Sequence, residues 1–144
     1  MAPDVRVIDQ DASTATVAEA AATLGVEPGQ IAKTLSIRVG DEVVLIVARG
    51  DARLDNRKTK AVFGERPRML AADEVEALSG HPVGGVCPFG LATPLPIYCD
   101  LSLRDFDIVY PAGGSRTSSV ELSPERLADL TGARWVDVCI PPIA

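Results

Sequence analysis

From Lys33 to Arg49 the sequence spells a β-hairpin, and this constrains the fold more than any other feature. Lys33–Val39 alternates between apolar and polar residues, Gly40-Asp41 breaks the run, and Glu42–Arg49 continues almost wholly apolar. The apolar stretch Val43–Ala48 has no polar face to give to water. A strand of that kind is buried on both sides, so further elements must cover both faces of the sheet it belongs to.

The rest of the chain supplies the cover. Val17, Ala20, Ala21 and Leu24 recur at helical spacing, which predicts a helix over about 16–24, capped by Ser13 or Thr14 and stopped by Gly25. Pro28-Gly29-Gln30 predicts a turn or a single helical turn. Leu54–Phe63 predicts a basic amphipathic helix closed by Gly64, and Asp73–Leu78 a short helix ended by Ser79-Gly80. Ser123-Pro124-Glu125 starts a last helix well, with serine as the cap and proline in the first helical position, and Gly132 stops it. Short strands are expected at Val5–Ile8, Leu95–Asp100, Phe106–Tyr110, Val120–Leu122 and Trp135–Ile140. The 144 residues are 47% hydrophobic, enough for one core and too apolar for disorder. The expectation is a single domain over 1–144 of mixed α/β (α+β-like) class. It has a mixed, largely antiparallel sheet of about six or seven strands and about four helices.

Several classes of function are disfavoured. The longest apolar run is six residues, far short of the roughly twenty that span a bilayer. Met1-Ala2-Pro3-Asp4 does not begin a secretory signal. The three cysteines, Cys87, Cys99 and Cys139, are odd in number and far apart, so neither a disulfide framework nor a paired metal site is expected. A reducing cytoplasm is the expected compartment, with no cofactor and no metal.

Charge is unevenly placed. The net charge is −6, yet Arg49–Arg68 holds seven basic residues (Arg49, Arg53, Arg57, Lys58, Lys60, Arg66 and Arg68) against three acidic ones. Such a patch on an acidic body binds a phosphate backbone in one place and repels it elsewhere. The plainer alternative is a solvated helix face. Arg53, Arg57, Lys58 and Lys60 are the candidates for nucleic-acid contact.

Three places are candidates for chemistry. Lys33 shares a face of its strand with Ile31, Leu35 and Ile37. An ammonium on that apolar side either serves an anion or a carbonyl at a pocket mouth, or reaches past the strand end to water. His81–Gly90 holds three glycines and two prolines in ten residues. Gly84, Gly85 and Val86 can present backbone N–H groups closely to a ligand and stabilise an oxyanion, or form an ordinary tight loop. The late loop Ala112–Ser119 carries glycines beside small hydroxyl residues, which suits a substrate lining or an exposed turn. A hydrolase triad is not expected, because the single histidine, His81, precedes a proline and no Gly-x-Ser-x-Gly elbow occurs.

Ile31-Ala32-Lys33-Thr34-Leu35, the loop Gly84-Gly85-Val86-Cys87-Pro88-Phe89-Gly90, and Ala112-Gly113 followed by Glu121-Leu122 resemble the YbaK/ProX group. These are trans-editing proteins and editing domains of prolyl-tRNA synthetase. The resemblance implies a barrel-like sheet and hydrolysis of the ester in mischarged aminoacyl-tRNA, commonly tRNA(Pro). It implies catalytic roles for Lys33, Gly84 and Gly85, and a substrate lining of Val86, Cys87, Pro88, Gly113, Ser118 and Ser119. The implied partners are the acceptor end of tRNA and prolyl-tRNA synthetase. Cys87 stands where that branch commonly has serine, and Ser118-Ser119 where it has an aspartate. A non-catalytic module that binds tRNA or a synthetase is the alternative on the same fold.

Overall fold

The hairpin forms as its pattern requires. The computed structural model describes residues 6–9, 17–70, 95–111 and 118–140. In it β2 (Ile31–Val39) and β3 (Glu42–Arg49) pair antiparallel, from Ala32 opposite Arg49 to Val39 opposite Glu42. The remaining strands are β1 (Arg6–Asp9), β4 (Arg53–Leu54), β5 (Pro67–Met69), β6 (Ile97–Asp100), β7 (Tyr110–Pro111), β8 (Ser118–Glu121), β9 (Arg134–Val136) and β10 (Cys139–Ile140). The described α-helices are α1 (Val17–Leu24), α2 (Asn56–Phe63) and α3 (Pro124–Thr131).

One six-stranded sheet carries the architecture, in the order β5-β2-β3-β6-β9, with β7 also paired to β2. β2 runs antiparallel to β3 and β5, whereas the β2–β7, β3–β6 and β6–β9 ladders are parallel. The sheet is therefore mixed, with the long β2–β3 ladder making antiparallel pairing the larger share. Parallel neighbours need long crossovers, and α2 lies between β3 and β6, as α3 does between β6 and β9. The sheet is open, ending at β5 and β9, and the β1–β8 and β4–β10 ladders stand apart from it. The expected barrel is thus not closed. The six strands of the sheet match the expected number, and among the described residues four further short strands pair outside it; pairings as short as β4–β10 carry no run of alternation long enough to read. The helix expected at Asp73–Leu78 lies outside the described residues, and three α-helices stand among them.

Both faces of β3 are buried. Leu35, Ile37, Val44, Ile46 and Ala48 pack on one side with Ala52, Val138 and Cys139. Ala32 and Val47 pack on the other with Cys99, Leu103, Val109 and Leu127. A third, smaller cluster joins Ala20 and Ala21 of α1 to Ile31 of β2, and burying each large aliphatic side chain in these clusters contributes about 1.5–3 kcal/mol.

The helix ends follow local chemistry. The Asp55 carboxylate accepts from the Arg57 N–H at 3.0 Å, and the Ser123 hydroxyl oxygen from that of Arg126 at 3.2 Å. Gly64 and Gly132 close α2 and α3 with φ of +82° and +67°, a left-handed conformation that glycine adopts without steric cost. The expected closing strand Trp135–Ile140 is broken into β9 and β10. The buried Asp100 is the cause: its Oδ1 accepts from the N–H groups of Val138 at 2.8 Å and Cys139 at 3.1 Å. Its Oδ2 accepts from the Ser102 N–H at 2.9 Å. A short 3₁₀ helix occupies Leu101–Asp105, and of the residues expected as a strand over Phe106–Tyr110 only Tyr110 falls in one, β7.

Candidate functional site

Lys33 is the third residue of β2. It lies opposite Ala48, on the face that Leu35, Ile37, Val44 and Ile46 make apolar. The side chain is partly buried, and Nζ donates a hydrogen bond to the carbonyl oxygen of Ala52. Ala52 is itself buried at the corner where β3 turns into β4. Burial lowers the Lys33 pKa, and Cys139 and Asp51 act against that shift. The thiol of Cys139 contributes only once ionised, so near neutral pH Asp51 supplies the opposing charge.

Asp51 has a second task. Its carboxylate takes Nε and Nη2 of Arg49, the latter at 2.9 Å, while Asp105 takes Nη1 at 2.9 Å. The guanidinium also stands 5.1 Å from the centroid of the Phe106 ring. These partners, the Asp51 bond first, hold the Arg49 pKa above its ordinary value. Arg49 lies opposite Ala32, on the face of the sheet away from Lys33. It is a structural tie at the corner that sets Ala52, and hence the acceptor for Lys33.

Lys58 closes the other side. From α2 its Nζ reaches Asp137 at 2.9 Å and the Cys139 carbonyl at 3.0 Å. The Asp137 bond raises its pKa. Lys33 and Lys58 both act on the buried Cys139, yet burial and Asp100 prevail and push that thiol up to about 12. Burial does the same to Cys99, with Glu125 and Asp100 adding to it. A thiolate is the nucleophilic form of cysteine, so neither is a nucleophile near neutral pH.

The other residues read from the sequence fall unevenly about this centre. Arg53, Arg57 and Lys60 are exposed, in β4 and α2. Lys58, by contrast, is committed to the junction of α2 with β10. Ser118 and Ser119 lie in β8, opposite Asp9 and Ile8 of β1, in a ladder that is not joined to β2. Gly84, Gly85, Val86, Cys87, Pro88 and Gly113 lie outside the described residues. Among the described residues no group of histidine, cysteine and carboxylate side chains is placed to hold a metal ion, and no helix is long and apolar enough to cross a membrane.

Sequence reasoning missed Asp51, Ala52, Asp100 and Cys139. Two of them carried a signal. Asp51 follows Arg49 by two residues at a strand end, and Asp100 precedes Ser102 in the Asp-x-Ser spacing of a local side-chain cap. Ala52 contributes a backbone carbonyl, which no side-chain pattern reveals.

The chain is similar to several known proteins. YwhH of Bacillus subtilis strain 168, an uncharacterized protein, is 50% identical over 135 residues, covering 92% of this chain and 86% of its own. EbsC of Enterococcus faecalis strain V583, provisionally named a Cys-tRNA(Pro)/Cys-tRNA(Cys) deacylase, is 32% identical over 129 residues, covering 88% and 76%. A solved structure, provisionally described as a trans-editing enzyme for prolyl tRNA synthetase, superposes with a TM-score of 0.85 at 37% identity, covering 93% of this chain and 85% of that one. The model of the aminoacyl-tRNA editing domain matches residues 11–130. With the fold and most of the length shared, the chain belongs to the aminoacyl-tRNA editing domain family.

Proposed function

We propose that the chain is a trans-acting deacylase that hydrolyses the ester of mischarged tRNA, with tRNA(Pro) carrying a small non-cognate amino acid as substrate. The observation that carries this reading is Lys33, a cation set on an apolar sheet face with one N–H on the Ala52 carbonyl. An ammonium has three donors, so two remain for the ester carbonyl or the terminal phosphate. Lys33 acts as a positioning cation rather than a base.

In this reading the 3′-terminal adenosine ester lies beside Lys33. The N–H groups of Gly84, Gly85 and Val86 receive the oxyanion as it develops. Cys87, Pro88, Gly113, Ser118 and Ser119 line the amino acid. A water oxygen adds to the ester carbon, the bond to the ribose oxygen breaks, and free amino acid and tRNA leave. The unionised Cys99 and Cys139 thiols are not the nucleophiles, so attack comes from water, the ribose 2′-hydroxyl or the side chain of the amino acid itself. Because an aminoacyl ester is already activated, positioning and electrostatics supply most of the rate. The reaction belongs in the cytoplasm beside prolyl-tRNA synthetase, whose errors it removes.

The test is deacylation of a panel of tRNA(Pro) charged with cysteine, alanine, serine or threonine. At least one member is turned over by the wild type. Lys33→Ala keeps its circular dichroism and loses turnover by about 10²-fold or more, the scale for removing one oxyanion-stabilising donor. Unchanged turnover overturns the role of Lys33. Tight tRNA binding with no turnover of any member makes the chain a binding module instead.

A further inference from the structure

At the opposite end of β2 from Lys33 lies an open groove of about 580 Å³. Gly40 of the hairpin turn and Asn56 of α2 form part of its wall, and three cations line it: Lys60, Arg66 and Arg68. One carboxylate, Glu65, faces them. All three cations are exposed. They differ in this from their neighbours in the same basic stretch, since Arg49 is bound by Asp51 and Asp105 and Lys58 by Asp137. The register also sets Arg38 directly opposite Arg68, adding a fourth basic residue to this end of the sheet.

We infer that this groove binds the phosphate backbone of the tRNA acceptor stem, as a second anchoring point distinct from the Lys33 centre. The inference rests on the deacylase reading for the identity of the ligand. Its geometry comes from β2: seven residues separate Lys33 from Gly40, about 23 Å at about 3.3 Å per residue. A single aminoacyl-adenosine does not fill both places. A ligand with its ester at Lys33 and a charged backbone running along the sheet does.

A charged sheet edge is the simpler explanation for part of this cluster, because β5 ends the sheet and basic residues discourage edge-to-edge pairing. That explanation covers Arg66 and Arg68. It does not cover Lys60, which comes from α2 and faces the same groove. On a chain of net charge −6, cations from two elements converging on one concavity fit a polyanion.

The test compares wild type with the triple variant Lys60→Gln/Arg66→Gln/Arg68→Gln and with Arg134→Gln, an exposed cation on the far edge strand. Uncharged-end tRNA(Pro) binding is followed by fluorescence anisotropy across a salt series. Deacylation is measured on full aminoacyl-tRNA and on aminoacyl-adenosine. The triple variant should lose salt dependence, by about 1 in the log–log slope per cation removed. Its KM for aminoacyl-tRNA should rise several-fold, with hydrolysis of aminoacyl-adenosine unchanged and Arg134→Gln like wild type. An unaltered slope overturns the inference. So does an equal loss on both substrates, or a slope change as large in Arg134→Gln. If wild type hydrolyses neither substrate, the deacylase reading fails, while the anisotropy slopes still decide whether the groove holds tRNA.

Discussion

Removing the carboxylate of Asp100 tests whether the Lys33 centre is held from behind. Asp100 is 1% exposed and serves three backbone donors: Ser102, Val138 and Cys139. Asp100→Ala removes the acceptor from all three. A hydrogen bond to a charged group contributes about 1.5–3 kcal/mol, and a buried donor left unpaired costs about 1–3 kcal/mol. The three bonds share one carboxylate and are not additive, and Ser102 lies nearer to water than the other two. The expected loss is about 3–5 kcal/mol, the scale for breaking a buried polar network. Asp100→Asn keeps one oxygen. With that oxygen on Val138 and Cys139, its NH₂ group faces the Ser102 N–H, so about 1–3 kcal/mol is lost. Urea unfolding followed by circular dichroism reads both values. With a slope of about 2 kcal/mol per molar urea, the alanine variant unfolds about 2 M earlier and the asparagine variant about 1 M earlier. An alanine variant within about 1 kcal/mol of wild type would refute the assignment of Asp100 as the tie between β6 and β10.

Gly29→Ala should destabilise by about 1–3 kcal/mol, since an added Cβ would stand 2.8 Å from both Arg49 Nε and the Phe106 ring; thermal unfolding measures it, and a neutral substitution would mean that the Arg49 corner yields freely. Cys99 and Cys139 titrate near 12 in the folded chain, above the value near 8.5 of a free thiol, so both bind their protons more tightly when folded. Their contribution is complete below about pH 8.5 and fades as pH rises toward 12. Urea midpoints taken across that range should fall, and a Cys99→Ala/Cys139→Ala variant should show a shallower fall. Lys58→Gln should leave the salt slope of tRNA binding near that of wild type, because Asp137 already neutralises that ammonium. A slope change as large as that of Lys60→Gln would return Lys58 to the tRNA surface.

Local chemistry was legible in the sequence, and pairing at a distance was not. The β2–β3 hairpin, the Ser123 cap and the stops at Gly64 and Gly132 each depend on residues within a few positions of one another. The break between β9 and β10 depends on Asp100, nearly forty residues earlier, and Trp135–Ile140 carries no sign of it. The parallel ladders escaped notice for the same reason. β6 is too short to announce its partners, and its place between β3 and β9 is settled by two crossovers and by the two-sided burial of β3. A closed barrel would require edges that meet, whereas β5 and β9, three residues each, stand at opposite ends of the order.

The candidate site divides along the same line. Lys33 was legible because one polar residue in an apolar register is a local contradiction, and burial without a purpose is costly. The structure retains the contradiction: a carbonyl and one nearby carboxylate meet the ammonium, and the carboxylate is spent mainly on Arg49. A lysine placed only for stability would have a carboxylate of its own, as Lys58 has in Asp137. The basic stretch Arg49–Arg68 was legible as charge but not as function, because its members differ only in partners that lie far away in sequence. Asp105 lies 56 residues beyond Arg49, and Asp137 lies 79 beyond Lys58. Once those pairs are removed, the cations left facing solvent are Arg53, Arg57, Lys60, Arg66 and Arg68, and three of them share a groove. A run of like charge thus becomes two different things in the folded chain: a set of ties that build the Lys33 corner, and a surface fitted to a polyanion.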